Sequence, residues 1–303
     1  MKVAVVTGVN GFVGSHLVRE LQKKDFEIIG VGKENKINAQ VKNEVSKYYV
    51  ANLIEEWPIS EDIDTIIHLA GFSAVGPSYE NPQLYINGNT AMVTNICEYY
   101  LKQNRKPRIL IVSSGAIYDG NQPMPITEES CLGYTSPYVI SKLAVENQAA
   151  YYRSRGLDIV VARPFNHIGP GQKKGFLLPD LASRIDNLSE YENKIIVGNL
   201  DTKRDYTDVR DIVKAYVILA TKASLKNSVY NICSGVSNSG FEIFSLLLKA
   251  IDRTDIEIEV DESLVRPTDI MEITGDNFRI KNDTGWIPTY TLDQTIQDFA
   301  KGR

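Results

Sequence analysis

The chain has few residues of the types that build disulfide frameworks and metal sites. Its 303 residues include three cysteines and three histidines, and both types are scattered widely along the chain. This spacing matches no zinc-ligand motif and gives no reason to expect paired disulfides. We therefore expect no metal, and we expect reduced thiols, which are typical of a cytoplasmic protein.

The chain also lacks long hydrophobic runs and an excess of positive charge. Its longest apolar stretches have the length of a β-strand, which is too short to cross a bilayer. An apolar strand begins almost at the first residue, so no signal peptide is expected. The formal net charge of −5 gives no reason to expect nucleic acid or a membrane surface as a partner. The 43% hydrophobic and 23% charged residues are typical of a soluble globular protein.

A glycine-rich segment follows the first apolar run, at residues 3–6. Gly8, Gly11 and Gly14 are spaced by three, and apolar residues then recur at helical intervals. The glycines allow a tight turn, close approach of a ligand to the backbone, and close packing of a helix on the strand. A helix N-terminus carries unpaired N–H groups that bind a diphosphate. The segment predicts a dinucleotide site, and the alternative is an ordinary strand–helix turn.

Strands and helices alternate along the first 163 residues, and no repeat or low-complexity segment interrupts them. This order predicts an α/β fold with a Rossmann-like, doubly wound parallel sheet. We assign residues 1–163 to an NAD(P)-binding domain. Glycine and proline punctuate the chain beyond that point, and residues 164–303 are predicted to form a smaller α/β lobe that binds the substrate. We expect the chain to cross between the two parts.

The end of the second predicted strand bears on the choice of cofactor. An acid at this point would bind the ribose hydroxyls of NAD, whereas a base would accept the 2′-phosphate of NADP. The sequence has Gly32 and then Lys33, with no acid before Glu34. It therefore favours NADP(H) over NAD(H), with Lys33 at the phosphate. The alternative is that Lys33 is a solvated loop residue.

Tyr138 and Lys142 are four residues apart in a predicted helix, so their side chains share one face. A tyrosine has a reference pKa of about 10, and a neighbouring cation favours its phenolate. Lowering the pKa by about three units takes roughly 4 kcal/mol. We expect Lys142 to supply part of this stabilisation of the phenolate, so that Tyr138 acts as a general acid or base. Ser113 or Ser114, after the fifth predicted strand, would hydrogen-bond the reacting oxygen.

These features resemble the extended short-chain dehydrogenase/reductase family, which acts on nucleotide sugars. The resemblance covers essentially the whole chain. Three later stretches are closest to the family's GDP-6-deoxy-D-mannose reductases; they are Arg163-Pro-Phe-Asn-His-Ile-Gly-Pro-Gly-Gln172, Gly175-Phe-Leu-Leu-Pro-Asp180 and the segment 197–211 with its Arg-Asp-Tyr. The resemblance implies a nucleotide-sugar substrate, NADP or NAD as cofactor, and a homodimer formed through two neighbouring helices.

The resemblance also implies a role for particular residues. It makes Ser114, Tyr138 and Lys142 catalytic. It implies that the substrate is bound by Ser114, Asn166, Arg204 and Arg266, and that the two arginines contact its diphosphate. Cofactor contacts fall on Gly8, Asn10, Gly11, Phe12, Val13, Lys33, Asn52, Leu53, Leu69, Ala70, Gly71, Asn87, Tyr138 and Lys142.

Departures from the family's patterns at three positions narrow the expected reaction. Sugar 4,6-dehydratases carry an acid just after the catalytic serine or threonine, where this chain has Gly115 and Ala116. The GDP-fucose synthases carry a cysteine and a histidine at positions that match Gly115 and Gly171. Dehydration and combined epimerisation are therefore disfavoured, which leaves hydride chemistry at C4.

The expected activity is reduction of a nucleotide-linked 4-keto-6-deoxyhexose, specifically GDP-4-keto-6-deoxy-D-mannose to GDP-D-rhamnose. One alternative is a nucleotide-sugar 4-epimerase with tightly bound NAD. Another, of a different class, is a non-catalytic NADP-sensing regulator, although such proteins often lose the tyrosine or the lysine that this chain keeps.

Overall fold

The computed structural model describes residues 2–189, 192–264 and 270–302. The strands are β1 (Lys2–Thr7), β2 (Phe26–Gly32), β3 (Lys47–Val50), β4 (Thr65–His68), β5 (Arg108–Val112), β6 (Ile159–Pro164), β7 (Asn166–Ile168), β8 (Lys194–Val197), β9 (Lys203–Asp208), β10 (Val229–Ile232), β11 (Ser237–Ser239), β12 (Glu257–Val260) and β13 (Glu272–Ile273). The helices are α1 (Phe12–Gln22), α2 (Gly76–Glu80), α3 (Pro82–Leu101), α4 (Pro137–Ser154), α5 (Leu177–Asp186), α6 (Val209–Thr221), α7 (Gly240–Ala250), α8 (Phe278–Thr284) and α9 (Leu292–Lys301).

A seven-stranded sheet organises the larger part of the molecule. Its order is β10-β6-β5-β4-β1-β2-β3, and all of its strand pairs are parallel. The order reverses direction at β1, which is the doubly wound arrangement. The predicted fold class is confirmed.

The two faces of this sheet bury different hydrophobic clusters, because successive side chains of a strand point to opposite faces. In β1, Ala4 and Val6 belong to the cluster that includes residues of α1 and α6. Val5 belongs to the cluster that includes residues of α3 and α4. The continuous apolar sequence of β1 is thus explained by burial on both sides.

Helix α4 starts as the sequence predicts. The Ser136 hydroxyl accepts a hydrogen bond from the Val139 N–H at 3.2 Å, and Pro137 occupies the first helical position. The start of α4 is therefore fixed one residue before Tyr138. Helix α3 lies beside α4 and shares its hydrophobic cluster.

A smaller lobe is built from β7, β9, β11 and β13 in one sheet and from β8 with β12 in another. Its core includes residues of α5, α7 and α9. Two elements of the predicted second domain return to the large sheet: β10 pairs with β6, and α6 packs in the α1 layer. Residues after 163 therefore contribute to the large sheet as well as to the smaller lobe. In the described part of the chain, no helix has both the length and the apolar character required to span a membrane.

Candidate active site

The glycine-rich loop connects β1 to α1 at the carboxyl edge of the large sheet. Gly8 has a φ of +67°, a conformation that favours glycine. A Cβ at Gly14 would lie 2.5 Å from the Val9 carbonyl oxygen, so this glycine is needed for close helix packing. Helix α1 begins after Gly11 with no side-chain cap, which leaves its N-terminal N–H groups available to an anion. The loop has the features that a dinucleotide diphosphate requires.

Glu34 lies at the end of β2 beside this loop. The Asn10 amide donates a hydrogen bond to the Glu34 carboxylate at 3.1 Å, and the Tyr48 hydroxyl donates to the Glu34 carbonyl oxygen at 2.8 Å. A Cβ at Gly32 would lie 2.9 Å from the Glu34 carboxylate. The Glu34 carboxylate and the Lys33 ammonium both follow the end of β2. The preference for NADP(H) over NAD(H) therefore stays a prediction.

The segment after β4 lies beside the glycine-rich loop. The Ala70 N–H donates to the Thr7 hydroxyl at 3.0 Å. Gly71 has a φ of +157°, and a Cβ there would lie 3.0 Å from the Asn89 side-chain oxygen and 3.9 Å from Lys142 Nζ. Gly71 thus lies beside Lys142 of α4, and Leu69 packs into the core. The contact of Leu69, Ala70 and Gly71 with a cofactor stays a prediction.

Helix α3 contributes Asn89, which the sequence interpretation missed. Its amide donates to the Ser141 hydroxyl at 2.9 Å and to the Phe72 carbonyl at 3.2 Å, and its oxygen accepts from the Phe72 N–H at 2.9 Å. The predicted Asn87 is exposed. The structure thus places Asn89 against Ser141 of α4, and the contact of Asn87 with a cofactor stays a prediction. The two asparagines are two positions apart, a spacing that places them on different helix faces.

Ser114, Tyr138 and Lys142 meet at the carboxyl end of β5. Tyr138 is 6% exposed, and the neighbouring Ser114 side chain acts to lower its pKa. Lys142 Nζ donates to the Val112 carbonyl at 2.9 Å and lies 5.9 Å from the Tyr138 ring centroid. The three predicted catalytic residues are therefore brought together.

The electrostatics of the Ser114–Tyr138–Lys142 triad differ from the expectation that Lys142 lowers the pKa of Tyr138. Burial raises the pKa of Tyr138 above its usual value of 10, and the neighbouring Ser114 side chain opposes this shift. Lys142 is not among the groups that lower the pKa of Tyr138. Burial also lowers the pKa of Lys142 to about 8, against the opposing effect of Glu146. Tyr138 is consequently a protonated phenol at neutral pH, ready to donate its proton.

The neighbouring Ser113 is buried, and its hydroxyl oxygen has no hydrogen-bond partner among the described residues. Such an atom is costly to bury unless a ligand or water bonds to it. Ser113 and Ser114 therefore both provide hydroxyl groups at this end of β5.

The candidate substrate residues lie in the smaller lobe. Asn166 begins β7 and is paired in register with Tyr206 of β9, which puts it on the same face as Arg204, two residues earlier. The Arg204 guanidinium donates to the carbonyls of Lys203 and Ile270, both at 2.8 Å. Arg266 lies outside the described residues.

The structure combines a glycine-rich loop and a Ser-Tyr-Lys cluster on a doubly wound sheet. Comparison with known protein families agrees with this geometry. The profile of the NAD dependent epimerase/dehydratase family matches residues 4–233. The chain belongs to this family. Its members use NAD or NADP, and the proteins similar to this chain act on nucleotide sugars.

Three relatives of the NAD dependent epimerase/dehydratase family show the range of similarity. GDP-6-deoxy-D-mannose reductase of Pseudomonas aeruginosa is 31% identical over 96% of this chain and 94% of its own. The RMD protein of Pseudomonas aeruginosa, solved with NADPH, has a TM-score of 0.82 at 29% identity, with 100% and 99% of the two chains covered. UDP-glucose 4-epimerase from Bifidobacterium longum, solved with NAD+ and UDP, has a TM-score of 0.86 at 25% identity and coverages of 99% and 98%.

The remaining predicted cofactor residues of this family member have structural partners. Phe12 stacks on His167 with ring centroids 6.2 Å apart, and Val13 packs into the α1 layer. Asn52 donates a hydrogen bond to Glu55 at 2.7 Å, and Leu53 is buried in the cluster on the α3 side. Their contact with a cofactor stays a prediction.

Proposed function

We propose that the protein is an NAD(P)-dependent 4-ketoreductase of a nucleotide-linked 4-keto-6-deoxyhexose. The specific reaction we propose is reduction of GDP-4-keto-6-deoxy-D-mannose to GDP-D-rhamnose. The observation that carries this proposal is the placement of the buried Tyr138 next to Ser114, with Lys142 Nζ 5.9 Å from the centroid of its ring. The similarity to GDP-6-deoxy-D-mannose reductase supports the choice of substrate.

Each residue of the triad has a distinct part in this reaction. A bound nicotinamide supplies the hydride. Tyr138, whose pKa is raised by burial, gives its proton to the oxygen formed at C4. Ser114 orients that oxygen through its hydroxyl, which makes the proton transfer short and direct. Lys142 holds the end of β5 through the Val112 carbonyl and presents a positive charge close to the phenol.

The residues around the triad support reduction over dehydration. A dehydratase needs a base to remove a proton from the sugar. Gly115 is buried against Phe165, and Ala116 follows it; neither has an ionisable side chain. Remote binding at Arg204 and Asn166 would hold the nucleotide part, so that its binding energy fixes the sugar for the reaction.

A direct assay tests this proposal. Purified protein is mixed with NADPH or NADH and with GDP-, dTDP-, UDP- and CDP-4-keto-6-deoxysugars, and cofactor oxidation is followed by absorbance. We expect oxidation with the GDP sugar and a product that NMR identifies as GDP-D-rhamnose. Absence of ketone-dependent oxidation with all four sugars would contradict the proposal.

The position of Glu34 favours a second candidate, a nucleotide-sugar 4-epimerase with tightly bound NAD. A carboxylate at the end of β2 accepts hydrogen bonds from a ribose and repels a 2′-phosphate. The argument against this candidate was the lack of an acid at Gly32, and the Glu34 carboxylate lies beside that glycine. The test is the absorbance spectrum and nucleotide content of the purified protein. Stoichiometric bound NAD without net NAD(P)H consumption supports the epimerase and excludes the reductase.

We also propose a homodimer formed through α3 and α4. Four apolar residues that suggested this from the sequence pack inward toward the sheet or the site: Ile96, Leu101, Leu143 and Val145. The outer surface instead carries Leu84, Ile140 and Tyr151, each at least 36% exposed. Sedimentation of the protein and of an Ile140→Asp variant tests this; we expect a dimer that the substitution dissociates.

A further inference from the structure

A cavity of about 610 Å³ lies at the amino-terminal edge of the large sheet. It is bordered by the first residues of three adjacent strands, namely Arg108 of β5, Ile159 of β6 and Val229 of β10. Ser113 and the triad lie at the opposite end of β5, and a five-residue strand spans about 17 Å. The cavity is therefore separate from the nicotinamide cleft, and its volume falls in the range of small-molecule sites.

Four cationic side chains line this cavity, and two of them have carboxylate partners. Arg108 pairs with Asp158 at 2.8 Å, and Arg279 pairs with Glu128 and Glu129. These two cations are consequently neutralised within the protein.

Arg153 and Lys226 are the other two cations of the lining. Among the described residues, no carboxylate oxygen lies within 4 Å of either side chain's charged nitrogens. The guanidinium of Arg153 makes one hydrogen bond in this part of the chain, to the Ile159 carbonyl at 3.5 Å. Arg153 is also half-buried, and burial lowers its pKa. The carboxylate of Glu146 opposes this lowering, but it is hydrogen-bonded to Arg163. Desolvation of a cation is unfavourable, and an anion in the cavity would offset that cost for Arg153.

The same cavity has an apolar part. Leu157 and Ile159 are buried, and Leu225 packs against the core while lining the cavity. A guanidinium binds phosphate oxygens in a forked, bidentate geometry. The lining thus combines phosphate donors with a surface for an uncharged group.

We propose that this cavity, named here the β5–β6–β10 cavity, binds a small organic phosphate whose phosphate group contacts Arg153 and Lys226. The uncharged part of the ligand covers Leu157 and Leu225. Neither cation belongs to the active site, so the ligand binds without competing with cofactor or sugar nucleotide.

Isothermal titration calorimetry tests the proposal with phenyl phosphate and inorganic phosphate as probes. The whole protein is first saturated with NAD+, so that the cofactor cleft is occupied. We expect saturable binding of one phenyl phosphate per chain, at least fivefold tighter than inorganic phosphate because of the apolar lining. Arg153→Gln should weaken phenyl phosphate binding at least tenfold.

Arg155→Gln is the matched control. Arg155 lies two residues further along, is exposed and pairs with Glu98 at 3.3 Å, so the substitution changes the net charge equally without altering the cavity. We expect its affinity to stay within twofold of the wild type. Lys226→Gln is a second cavity variant at an exposed position, and it should weaken binding at least threefold even if Arg153→Gln fails to fold. Equal affinities in the cavity variants and Arg155→Gln, or no saturable binding to the wild type, would overturn the proposal.

Discussion

The carboxylate of Glu146 and the guanidinium of Arg163 form a buried, bidentate ion pair that joins α4 to β6. Arg163 donates through Nε at 2.9 Å and through a terminal nitrogen at 2.6 Å. Arg163 also donates to the Tyr118 hydroxyl at 2.7 Å. Glu146 lies one helical turn after Lys142 and raises its pKa against the effect of burial. The pair therefore both anchors the catalytic helix and favours a charged lysine.

Glu146→Gln should alter both stability and pH dependence. Loss of the carboxylate leaves Arg163 buried without its counter-charge, which costs on the order of 3 kcal/mol. It also lowers the pKa of Lys142 below its present value of about 8, so the alkaline limb of kcat/KM should move to lower pH. Urea unfolding and a pH–rate profile measure the two effects.

Glu98→Gln is the control for this prediction. Glu98 pairs with Arg155 at the surface, and exposed pairs contribute less than about 1 kcal/mol. The expected change in unfolding free energy is correspondingly small, with no shift of the pH profile. An unshifted alkaline limb in Glu146→Gln would mean that Glu146 does not act on Lys142.

Tyr138→Phe should abolish proton donation while leaving the fold intact. General acid catalysis typically contributes 10²- to 10⁴-fold, so we expect kcat for ketone reduction to fall at least about a hundredfold. Cofactor affinity should change little. Steady-state kinetics measure the loss of kcat, and cofactor titration measures the affinity for the cofactor. The control is Tyr134→Phe at an exposed position four residues earlier; activity retained in Tyr138→Phe would rule out the proposed mechanism.

Lys142→Met should stabilise the protein while inactivating it. Burial lowers the pKa of Lys142 from 10.5 to about 8, so at pH 7 the folded protein holds a charged, desolvated lysine at a cost on the order of 3 kcal/mol. The lost hydrogen bond to Val112 offsets about 1 kcal/mol of the gain. We expect the variant to unfold at higher urea concentration at pH 7.

The sign of this effect depends on pH. Between the folded pKa of about 8 and the unfolded value of 10.5, the native lysine loses its proton before the unfolded one does. Wild-type stability therefore rises relative to Lys142→Met over that interval, and the difference shrinks. Lys173→Met, at an exposed position, should show no such pH-dependent difference. A constant difference from pH 7 to pH 10 would contradict the lowered pKa.

Glu34→Gln should shift cofactor preference toward NADP(H). The carboxylate held by Asn10 is expected to repel a 2′-phosphate and to accept ribose hydroxyls. We expect the ratio of kcat/KM for NADPH over NADH to rise at least about tenfold in the variant, which corresponds to 1.4 kcal/mol. Glu257→Gln, in the exposed part of β12, is the control. An unchanged ratio in Glu34→Gln would show that Glu34 does not select the cofactor.

Asn89→Ala and Asn87→Ala compare the two asparagines of α3. Loss of the Asn89 side chain leaves the Ser141 hydroxyl and the Phe72 backbone without their hydrogen-bond partners. This lowers the free energy of unfolding by about 2 kcal/mol and loosens the segment around Gly71. We expect lower unfolding free energy and lower kcat for Asn89→Ala, and near wild-type values for Asn87→Ala. The reverse ranking would favour Asn87 as the site residue.

The sequence predicted the elements whose side chains repeat with a clear period. The predicted alternation of strands and helices over the first 163 residues agrees with the structure, because buried apolar residues recur in these elements at the interval of a helix or strand. The glycine-rich loop and the Ser-Tyr-Lys cluster were predicted for a similar reason, since short-range spacing determines the turn and the shared helix face.

Features set by long-range contacts were not predicted. Strand β9, with sequence KRDYTD, is polar at every position except Tyr206, so its sequence has no apolar alternation and only its pairing with β7, β11 and β13 identifies it. The approach of Glu34 to Gly32 depends on Asn10, which lies 24 residues earlier. The high pKa of Tyr138 depends on burial by several elements, which spacing within one helix does not reveal.

The return of β10 and α6 to the large sheet has a consequence for how the chain can be divided. A polypeptide ending at residue 163 would lack the edge strand beside β6 and the helix that covers Ala4, Val6 and Leu17. This fragment would expose a hydrophobic face of the sheet and the unpaired backbone N–H and C=O groups of β6. Both features promote aggregation. Residues 1–163 therefore depend on the segment that follows them for a covered sheet edge and a closed hydrophobic core.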